Sequence, residues 1–230
     1  MSSSVPQTSS GFWDNFFASG FDRLRRDYPS IQEVAVTSKE FLYHQGEYCE
    51  YVFWIKNGIV KLSHLTVEGS EITSALLKHG DMAGNLAGVT QLPMENTAQP
   101  IGSVGLYRMT YNDFRSLLSR HAELAWHTFV ATQARKQQLE RKLRTILTQS
   151  VEIRLAAMLL ELAEMFGIRC THGYALEIHL TQQDVADLIG ASRSVVSTVL
   201  NDFRSRGMLD YTRNQICIYD KVLADFCSTL

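Results

Sequence analysis

Between residues 31 and 108, short apolar runs rich in β-branched and aromatic side chains alternate with Gly, Pro and polar turn residues. This spacing is typical of short antiparallel strands, and many such strands favour a barrel or jelly roll over a flat sheet. The predicted strands are Phe41–Tyr43, Tyr51–Lys56, Ile59–Leu65, Glu71–Leu77, Ile101–Val104 and Leu106–Met109. Ahead of them, Phe12–Arg26 has the apolar pattern of one or two short helices that pack on the β unit.

Two turn signals set the expected pairing of these strands. Asn57-Gly58 is the strongest short signal for a β-hairpin, so Tyr51–Lys56 and Ile59–Leu65 are expected to pair with each other. A second turn is expected at Glu68-Gly69, before the strand at Glu71–Leu77.

No Gly or Pro occurs from Leu106 to Phe166, which indicates long helices. A short helix is predicted at about Tyr111–Leu118, and a long one from Ala122 to Thr148 with apolar residues three and four apart. A helix of ~27 residues is ~40 Å long, so we interpret it as half of a two-stranded dimer seam rather than a packed helix with an exposed end. The residues assigned to this seam are Phe129, Leu139, Leu143 and Ile146.

Residues 181–207, TQQDVADLIGASRSVVSTVLNDFRSRG, contain two helix patterns joined by a short Gly-containing turn. Thr181 and Asp184 have the spacing of a capping box for the first helix, which Gly190 ends. Ser192 is the predicted cap of the second helix. Two short helices joined in this way are typical of a helix-turn-helix.

The second helix has a predicted inward face and a following wing. The inward residues are Val195, Val196, Val199, Leu200 and Phe203. After Gly207, the stretch Met208–Tyr219 has the pattern of two short strands.

The start of the second helix presents small polar and basic side chains in one tract. A recognition helix places its N-terminal residues against base edges in the major groove, where an Arg is suited to a bidentate contact with guanine. We assign that role to Arg193. The other candidate contacts, to bases or phosphates, are Thr181, Gln182, Ser192, Ser194, Ser197, Thr198, Arg204, Arg206 and Arg213. A protein-interaction module in which the hairpin docks a protein partner is the competing interpretation.

Charge and composition restrict these interpretations. The 230 residues carry a net charge of −2 and are 45% apolar, which is typical of a soluble globular protein. Residues 150–230 contain seven Lys/Arg and ten Asp/Glu, so DNA affinity must come from a few placed arginines and from dimerisation. No apolar run approaches the roughly 20 residues of a membrane span, and no signal-peptide pattern opens the chain, so we expect a cytoplasmic protein without membrane contact.

The sequence offers little for metal or catalytic chemistry. Histidines such as His44, His64 and His79 are too scattered for a cupin-like metal site, and no nucleophile elbow, P-loop or H-E-x-x-H motif occurs, so neither a metal nor an enzyme is expected. The four cysteines, Cys49, Cys170, Cys217 and Cys227, form no C-x-x-C pair and are expected to be reduced structural thiols. Redox control through Cys49 or Cys170 is the alternative.

In this order, the parts resemble the cyclic AMP receptor/fumarate–nitrate regulator superfamily of bacterial transcription factors, from about Phe41 to Tyr219. The markers are Tyr43-His44-Gln45-Gly46-Glu47, Asn57-Gly58-Ile59-Val60, Gly69-Ser70-Glu71, Gly80-Asp81, Leu180–Gly190 and Ala191–Gly207. The resemblance implies an α+β fold with an N-terminal antiparallel, jelly-roll-like β-roll sensor, a long dimerisation helix and a C-terminal winged helix-turn-helix. The expected boundaries are 1–30 for a tail and short helices, 31–119 for the sensor, 120–149 for the dimerisation helix and 150–230 for the DNA-binding domain.

The resemblance breaks at the nucleotide site. Members that bind cyclic nucleotides use a Gly-Glu-Leu segment for the ribose and, further along, an Arg followed by Ser or Thr for the phosphate. This chain has Gly84-Asn85-Leu86 and Glu95-Asn96-Thr97-Ala98, with Leu139 and Glu140 roughly where the long helix would contact adenine. From His79 to Tyr107 there is no Lys or Arg, and a buried phosphate without a cation costs several kcal/mol. We therefore expect that cyclic AMP is not bound.

The expected effector pocket comprises Asn85, Leu86, Ala87, Asn96, Thr97, Trp126 and Phe129. Its occupant stays open: a small organic molecule, haem held by a His, or no ligand, with side chains filling the space. The resemblance implies a homodimeric regulator that binds two-fold symmetric double-stranded DNA, with half-sites about one helical turn apart, and that contacts RNA polymerase. The family's commonest Arg-Glu-x-x-x-Arg tract is Arg193-Ser194-Val195-Val196-Ser197-Thr198 here, so the flanking bases are expected to differ from the usual site.

Overall fold

The computed structural model describes Trp13, Phe16, Phe17 and residues 20–84, 86, 92–171, 173–176, 180–212 and 216–228. The chain divides into two compact units, Met1–Gln138 and Leu139–Leu230. Three of the residues singled out by sequence, Asn85, Ala87 and Arg213, lie outside the described part of the chain.

The first unit is built on an antiparallel sheet. Its strands are β1 (Gln32–Thr37), β2 (Tyr51–Leu65), β3 (Glu71–Leu77), β4 (Met82–Gly84) and β5 (Thr97–Thr110). The sheet order is β1-β5-β2-β3, and β4 pairs with β2. The helices are α1 (Phe21–Asp27), α2 (Tyr111–Arg120) and α3 (Ala122–Thr148), the last of which continues beyond residue 138. The long helix of the sequence prediction is confirmed at both ends.

The hairpin predicted at Asn57-Gly58 is wrong. Strand β2 runs through both residues, and its two halves pair with β5 instead of with each other. The register with β5 shifts at this point, where Gly58 has a φ of 84°. The side-chain oxygen of Asn57 accepts a hydrogen bond from the backbone N–H of Gly105 at 2.8 Å. A type I′ hairpin turn and a G1 bulge both need a positive φ, so the dipeptide alone does not distinguish them.

The remaining strand and turn predictions are confirmed in part. The turn at Glu68-Gly69 is confirmed, since β2 and β3 pair antiparallel across it. Ile101–Val104 and Leu106–Met109 are both extended but belong to one strand, β5, and Tyr43 makes only an isolated bridge to Ala98. Strand β1 was not among the predicted strands because most of its residues are exposed and its apolar alternation is short.

Two apolar clusters lie on opposite faces of β2, as the two-residue repeat of a strand requires. The first joins the N-terminal segment to the sheet: Trp13 lies 5.2 Å from Trp54, and Phe17 lies 4.2 Å from Tyr107, between ring centroids. The second cluster includes Phe53, which is buried on the other face of the strand. The predicted packing of the N-terminal segment on the β unit is therefore confirmed for its described residues.

The second unit contains a helix-turn-helix and a small sheet. Its helices are α4 (Val151–Phe166), α5 (Gln182–Ile189), α6 (Arg193–Ser205) and α7 (Asp220–Ser228). Its strands are β6 (Ile168–Cys170), β7 (Gly173–Leu176), β8 (Leu209–Tyr211) and β9 (Ile216–Ile218). They form an antiparallel sheet in the order β6-β7-β9-β8. The predicted α+β class, with a two-stranded wing after the second helix of the motif, is confirmed.

Candidate nucleic-acid interface

The first helix of the motif, α5, begins with the predicted capping box. The Thr181 hydroxyl oxygen accepts a hydrogen bond from the Asp184 backbone N–H at 3.0 Å, and the Asp184 carboxylate accepts one from the Thr181 backbone N–H at 2.9 Å. The Thr181 hydroxyl also donates to that carboxylate at 2.6 Å. The hydroxyl proton of Thr181 is thus used within the start of the helix, where Thr181 acts as the cap of α5. A contact of Thr181 with DNA stays a prediction, as does that of the half-buried Gln182.

The turn between α5 and α6 is held from α4 by a residue that sequence reasoning missed. Arg154 donates hydrogen bonds to the backbone carbonyls of Ile189 and Gly190, at the end of α5. Carbonyls at a helix end lack partners within the helix, so this guanidinium satisfies two of them. Nothing local in the sequence marks Arg154, since its partners lie more than thirty residues away. Ile146, assigned to the dimer seam, is half-buried and close to Gly190.

Helix α6 begins at the Ser192 cap, whose hydroxyl accepts a hydrogen bond from the Val195 backbone N–H at 3.4 Å. Four of the five predicted inward residues are buried, but Val195 is 41% exposed. The four buried positions, 196, 199, 200 and 203, form one stripe along the helix. Val195 comes one residue before this stripe and is therefore turned away from it. The prediction for Val195 is therefore wrong, and its side chain joins the exposed surface of the helix start.

The outward tract of α6 is exposed at Arg193, Ser194 and Thr198 and half-buried at Ser197. The Thr198 hydroxyl donates to the Ser194 backbone carbonyl at 3.1 Å, and the hydroxyl oxygens of Ser192 and Ser194 are 3.0 Å apart. Within the described part of the chain, Arg193 forms no ion pair. Its guanidinium is therefore available to a ligand outside the protein.

The arginines at the other end of α6 are engaged. Arg204 Nε lies 2.8 Å from a carboxylate oxygen of Asp210, and its guanidinium lies 5.4 Å from the ring centre of Tyr211. The Tyr211 hydroxyl in turn donates to the Asn201 side chain at 2.8 Å. These contacts hold β8 against α6.

Arg206 is also paired, since its Nη1 lies 3.2 Å from the carboxylate of Asp202 one turn earlier. Of the four arginines assigned to DNA, two are thus partly neutralised, Arg193 is available, and Arg213 lies outside the described residues.

In the first unit, Asn96 and Thr97 of the expected effector pocket are engaged with the preceding segment. The Tyr43 hydroxyl donates to the Asn96 side-chain oxygen at 3.1 Å, and the Gln45 backbone N–H donates to the Thr97 hydroxyl oxygen at 3.0 Å. Burial raises the pKa of Tyr43 to about 12, so its hydroxyl keeps its proton. The side chains at these two positions therefore form neutral contacts within the β-roll.

The glycine-containing stretch, which starts at Gly80-Asp81, has a half-buried carboxylate at its beginning. The Asp81 carboxylate accepts a hydrogen bond from the Lys78 backbone N–H at 2.8 Å, and burial raises the pKa of this carboxyl group. The charges of Arg135, Lys78 and His79 act in the opposite direction. Cations near this stretch therefore already interact with a carboxylate, which would compete with a phosphate.

A cavity of about 540 Å³ opens elsewhere on the first unit and shares none of the residues of the expected effector pocket. Its lining residues are Phe17, Phe21, Glu33, Lys56, Asn57, His79 and Tyr107. Lys56 and Glu33 form an ion pair at its edge, and this hydrogen bond raises the pKa of the Lys56 amine. The assignment of the effector pocket stays a prediction.

Helix α3 carries the apolar residues assigned to the dimer seam. In the first unit, Trp126 is 61% exposed and stacks with exposed Phe129 at a centroid distance of 5.6 Å. In the second unit, Leu139 and Leu143 are 50% and 59% exposed. Clustered apolar surface of this kind is typical of a surface that another molecule covers.

Metal sites and membrane spans are not seen among the described residues. No group of three or more His, Cys, Asp or Glu side chains in that part of the chain is placed to hold a metal ion. None of its helices combines the length and apolar character that crossing a bilayer requires.

Comparison with known proteins assigns both units. A family model described as a cyclic nucleotide-binding domain matches residues 33–121, and one described as a Crp-like helix-turn-helix domain matches residues 153–222. The chain belongs to the cyclic AMP receptor/fumarate–nitrate regulator (CRP/FNR) superfamily.

Named relatives agree with this assignment. The chain is 28% identical over 212 residues to the global nitrogen regulator of Synechocystis sp., covering 91% of this chain and 94% of the relative. It is also 28% identical to the CRP-like cAMP-activated global transcriptional regulator of Mycobacterium tuberculosis, over 83% of this chain and 85% of the relative. A CooA mutant structure from Carboxydothermus hydrogenoformans shares the fold, with a TM-score of 0.72 at 21% identity, covering 93% and 94% of the two chains.

As a CRP/FNR member, the chain is a transcription regulator with a DNA-binding helix-turn-helix and a cyclic-nucleotide-binding-like domain. Its relatives are transcription regulators, not enzymes.

Proposed function

We propose that this CRP/FNR protein is a homodimer that recognises a two-fold symmetric double-stranded DNA site through α6, with Arg193 contacting a guanine. The observation that carries the proposal is the position of Arg193: it is the first residue of a capped helix, exposed, and in no ion pair among the described residues. An Arg in this position can donate two hydrogen bonds to guanine, worth about 1–3 kcal/mol of discrimination against another base.

Other side chains of the tract complete the proposed base contacts. Ser194 and Thr198 retain hydroxyl oxygens that can accept from base amino groups or bond phosphates. Val195 is exposed and would pack on a thymine methyl group, a contact that carries sequence information without a hydrogen bond. Arg204 and Arg206 would contact phosphates after exchanging their carboxylate partners.

Two-fold symmetry of the site follows from the proposed dimer. The exposed residues Trp126, Phe129, Leu139 and Leu143 on α3 support the dimer, because a monomer would leave them in water. Replacing Leu143 by Glu should shift sedimentation from dimer toward monomer. Arg144→Glu, at a neighbouring exposed position, makes a larger charge change and should leave the dimer intact. Equal sedimentation of both variants with the wild type would contradict the proposed seam.

The sensor is proposed to be independent of cyclic AMP. Neutral Asn96 and Thr97 contact Tyr43 and Gln45 at the positions where the resemblance implies a phosphate contact. Half-buried Asp81 adds negative charge at the glycine-containing stretch. A phosphate bound there would have to compete with the Asp81 carboxylate for the nearby cations. Action at a promoter through RNA polymerase is proposed on the same family resemblance.

The deciding experiment is selection of bound sequences from a random DNA library by the purified full-length protein, with and without cyclic AMP. We expect the same two-fold symmetric motif in both conditions. Arg193→Ala should then lose preference for one guanine per half-site, whereas Lys221→Ala, which removes an exposed charge from α7, should keep it. A motif that appears only with cyclic AMP would overturn the nucleotide-independent sensor. Unchanged sequence preference in Arg193→Ala would overturn the assigned contact, whereas no enriched motif in either condition would favour the protein-interaction module.

A further inference from the structure

Two cysteines of the second unit approach each other across a strand. Cys170 lies in β6 and Cys217 in β9, and β7 lies between these strands in the sheet. Their sulfur atoms are nevertheless only 3.7 Å apart and are not joined by a disulfide. Side chains from strands that are not neighbours in a sheet do not ordinarily touch, so this contact needs a local cause.

The cause lies in the residues of β7 between the two thiols. Gly173 is opposite Cys170, and Ala175 is opposite Cys217, so all four residues share one face of the sheet. A glycine and an alanine leave this face almost bare along the path between the sulfurs. A larger side chain at Ala175 would stand between the thiols, whereas a Cβ at Gly173 would collide with the Ile218 carbonyl oxygen of β9.

A dissolved reagent can reach the face of the sheet that carries the two thiols. The neighbouring residues Leu176 and Ile218 point to the other face and are buried. Cys170 and Cys217 are themselves half-exposed. Of the other two cysteines, Cys49 is buried in the first unit, where it donates a weak hydrogen bond to the Tyr51 carbonyl, and Cys227 is partly buried on α7.

We propose that Cys170 and Cys217 are a thiol modification site that forms a reversible intramolecular disulfide when the folded protein meets a small-molecule disulfide such as oxidised glutathione. One cysteine thiolate attacks a glutathione sulfur, forming a mixed disulfide and releasing one glutathione as a thiolate. The second cysteine thiolate then attacks the protein sulfur of that mixed disulfide and releases the other glutathione. The two cysteines lose two protons and two electrons in total, and the oxidised glutathione is reduced to two thiols.

Sheet geometry makes this disulfide labile. Strands two apart in a sheet are separated by roughly 9–10 Å, twice the neighbour spacing, whereas a disulfide needs its Cα atoms within about 4.4–6.8 Å. Closing the bond therefore requires one strand to leave its position. Strand β6 is at the edge of the sheet and pairs only with β7, so we assign the movement to β6. A disulfide that opposes the sheet in this way is readily reduced again.

Acidity of the thiols sets the conditions for the exchange. Burial, the neighbouring Cys170 and the charge of Asp210 all raise the pKa of the Cys217 thiol. Only the thiolate attacks a disulfide, so the exchange should accelerate as the pH rises through the range where Cys217 loses its proton.

The test treats the full-length reduced protein with oxidised glutathione, alkylates the remaining thiols after denaturation, and maps the digested peptides by mass spectrometry. We expect a Cys170–Cys217 cross-linked peptide and the loss of two of the four cysteine thiols, with Cys49 and Cys227 alkylated. Excess reduced glutathione should restore all four thiols. Glutathione attached to either cysteine without the cross-link, no reaction at either, or a disulfide between two chains would each overturn the proposal.

Two variants separate proximity from reactivity. Ala175→Leu keeps both thiols but places a large side chain between them, so the cross-link should be lost while glutathione adducts accumulate. Cys227→Ser, a partly buried cysteine of the same unit, should leave the cross-link unchanged. Persistence of the cross-link in Ala175→Leu would contradict the proposed path across β7. Circular dichroism of each variant before oxidation shows that the fold is retained.

Discussion

Replacement of Gly58 by Ala tests whether Asn57-Gly58 is a bulge inside a long strand or the tip of a hairpin. A hairpin tip projects into solvent, whereas in the structure β2 passes close to β5 at this residue. A methyl group built on Gly58 would lie 2.6 Å from the Ser103 carbonyl oxygen and 2.9 Å from a Val104 methyl carbon. Both distances are shorter than van der Waals contact, and the nearest atom belongs to the backbone.

Two costs add at this position. A side chain in the left-handed region, at the φ of 84° found for Gly58, costs about 1–2 kcal/mol. Crowding against β5 adds about 1–3 kcal/mol, the usual range for overpacking in a well-packed region. Gly58→Ala should therefore lower the free energy of unfolding of the first unit by about 2–5 kcal/mol in total.

Gly69→Ala is a matched control. Gly69 has nearly the same φ, 81°, and lies at the tip of the turn between β2 and β3, but nothing lies within 4 Å of an added methyl group. It should show only the backbone cost, so the two variants should differ by about 1–3 kcal/mol.

The measurement is urea unfolding followed by tryptophan fluorescence, because Trp13, Trp54 and Trp126 all belong to the first unit. Equal destabilisation by Gly58→Ala and Gly69→Ala would mean that Gly58 does not approach β5. In that case the continuous β2 strand would be wrong, and the hairpin predicted from sequence would be restored.

Three further predictions address the remaining sites. Asp184→Ala should lower the free energy of unfolding of the second unit by about 1–2 kcal/mol through loss of the capping box. The measurement is thermal unfolding followed by circular dichroism, with Gln183→Ala as the control, and equal stability of the two variants would contradict the cap. Burial raises the pKa of the Asp81 carboxyl group, so the stability that this group contributes is present below its ordinary pKa of 3.8 and is lost as the pH rises through its pKa in the folded protein. Asp81→Asn should therefore flatten the pH dependence of the free energy of unfolding above pH 3.8. An unchanged pH profile would refute this. Strand β6 lies at the opposite edge of the sheet from β8, whose Asp210 pairs with Arg204. Movement of β6 on oxidation should therefore leave DNA affinity within about twofold of that of the reduced protein, or about 0.4 kcal/mol; a larger difference would contradict the assigned movement.

Helices of this protein could be predicted closely because their signals are local. The boundaries of α3 follow from periodicity, and the Thr181–Asp184 capping box fixes the start of α5 within four residues of sequence. Val195 shows the limit of this reasoning. An apolar residue one position from the buried stripe is indistinguishable from a core residue until the helix is placed against its neighbours.

Sheet pairing could not be predicted in the same way because it depends on contacts between distant segments. Asn57-Gly58 carries the conformation of the bulge, yet the partner that decides its meaning, Gly105, lies 48 residues away. Arg154 and the Cys170–Cys217 contact are of the same kind, at separations of 35 and 47 residues. In each case the residue type indicates which kind of contact it can make, and only the fold shows with which residue it makes that contact.

Charge distribution in the second unit argues that each recognition helix binds DNA weakly when alone. Acidic residues outnumber basic ones between residues 150 and 230, and Arg204 and Arg206 already face Asp210 and Asp202. Few counterions would therefore be released per half-site, which limits the nonspecific part of the affinity. Useful affinity then has to come from two helices acting on one symmetric site, where the second contact is made at high effective concentration. For this reason, disruption of the proposed dimer at Leu143 should weaken DNA binding more than loss of any single phosphate contact.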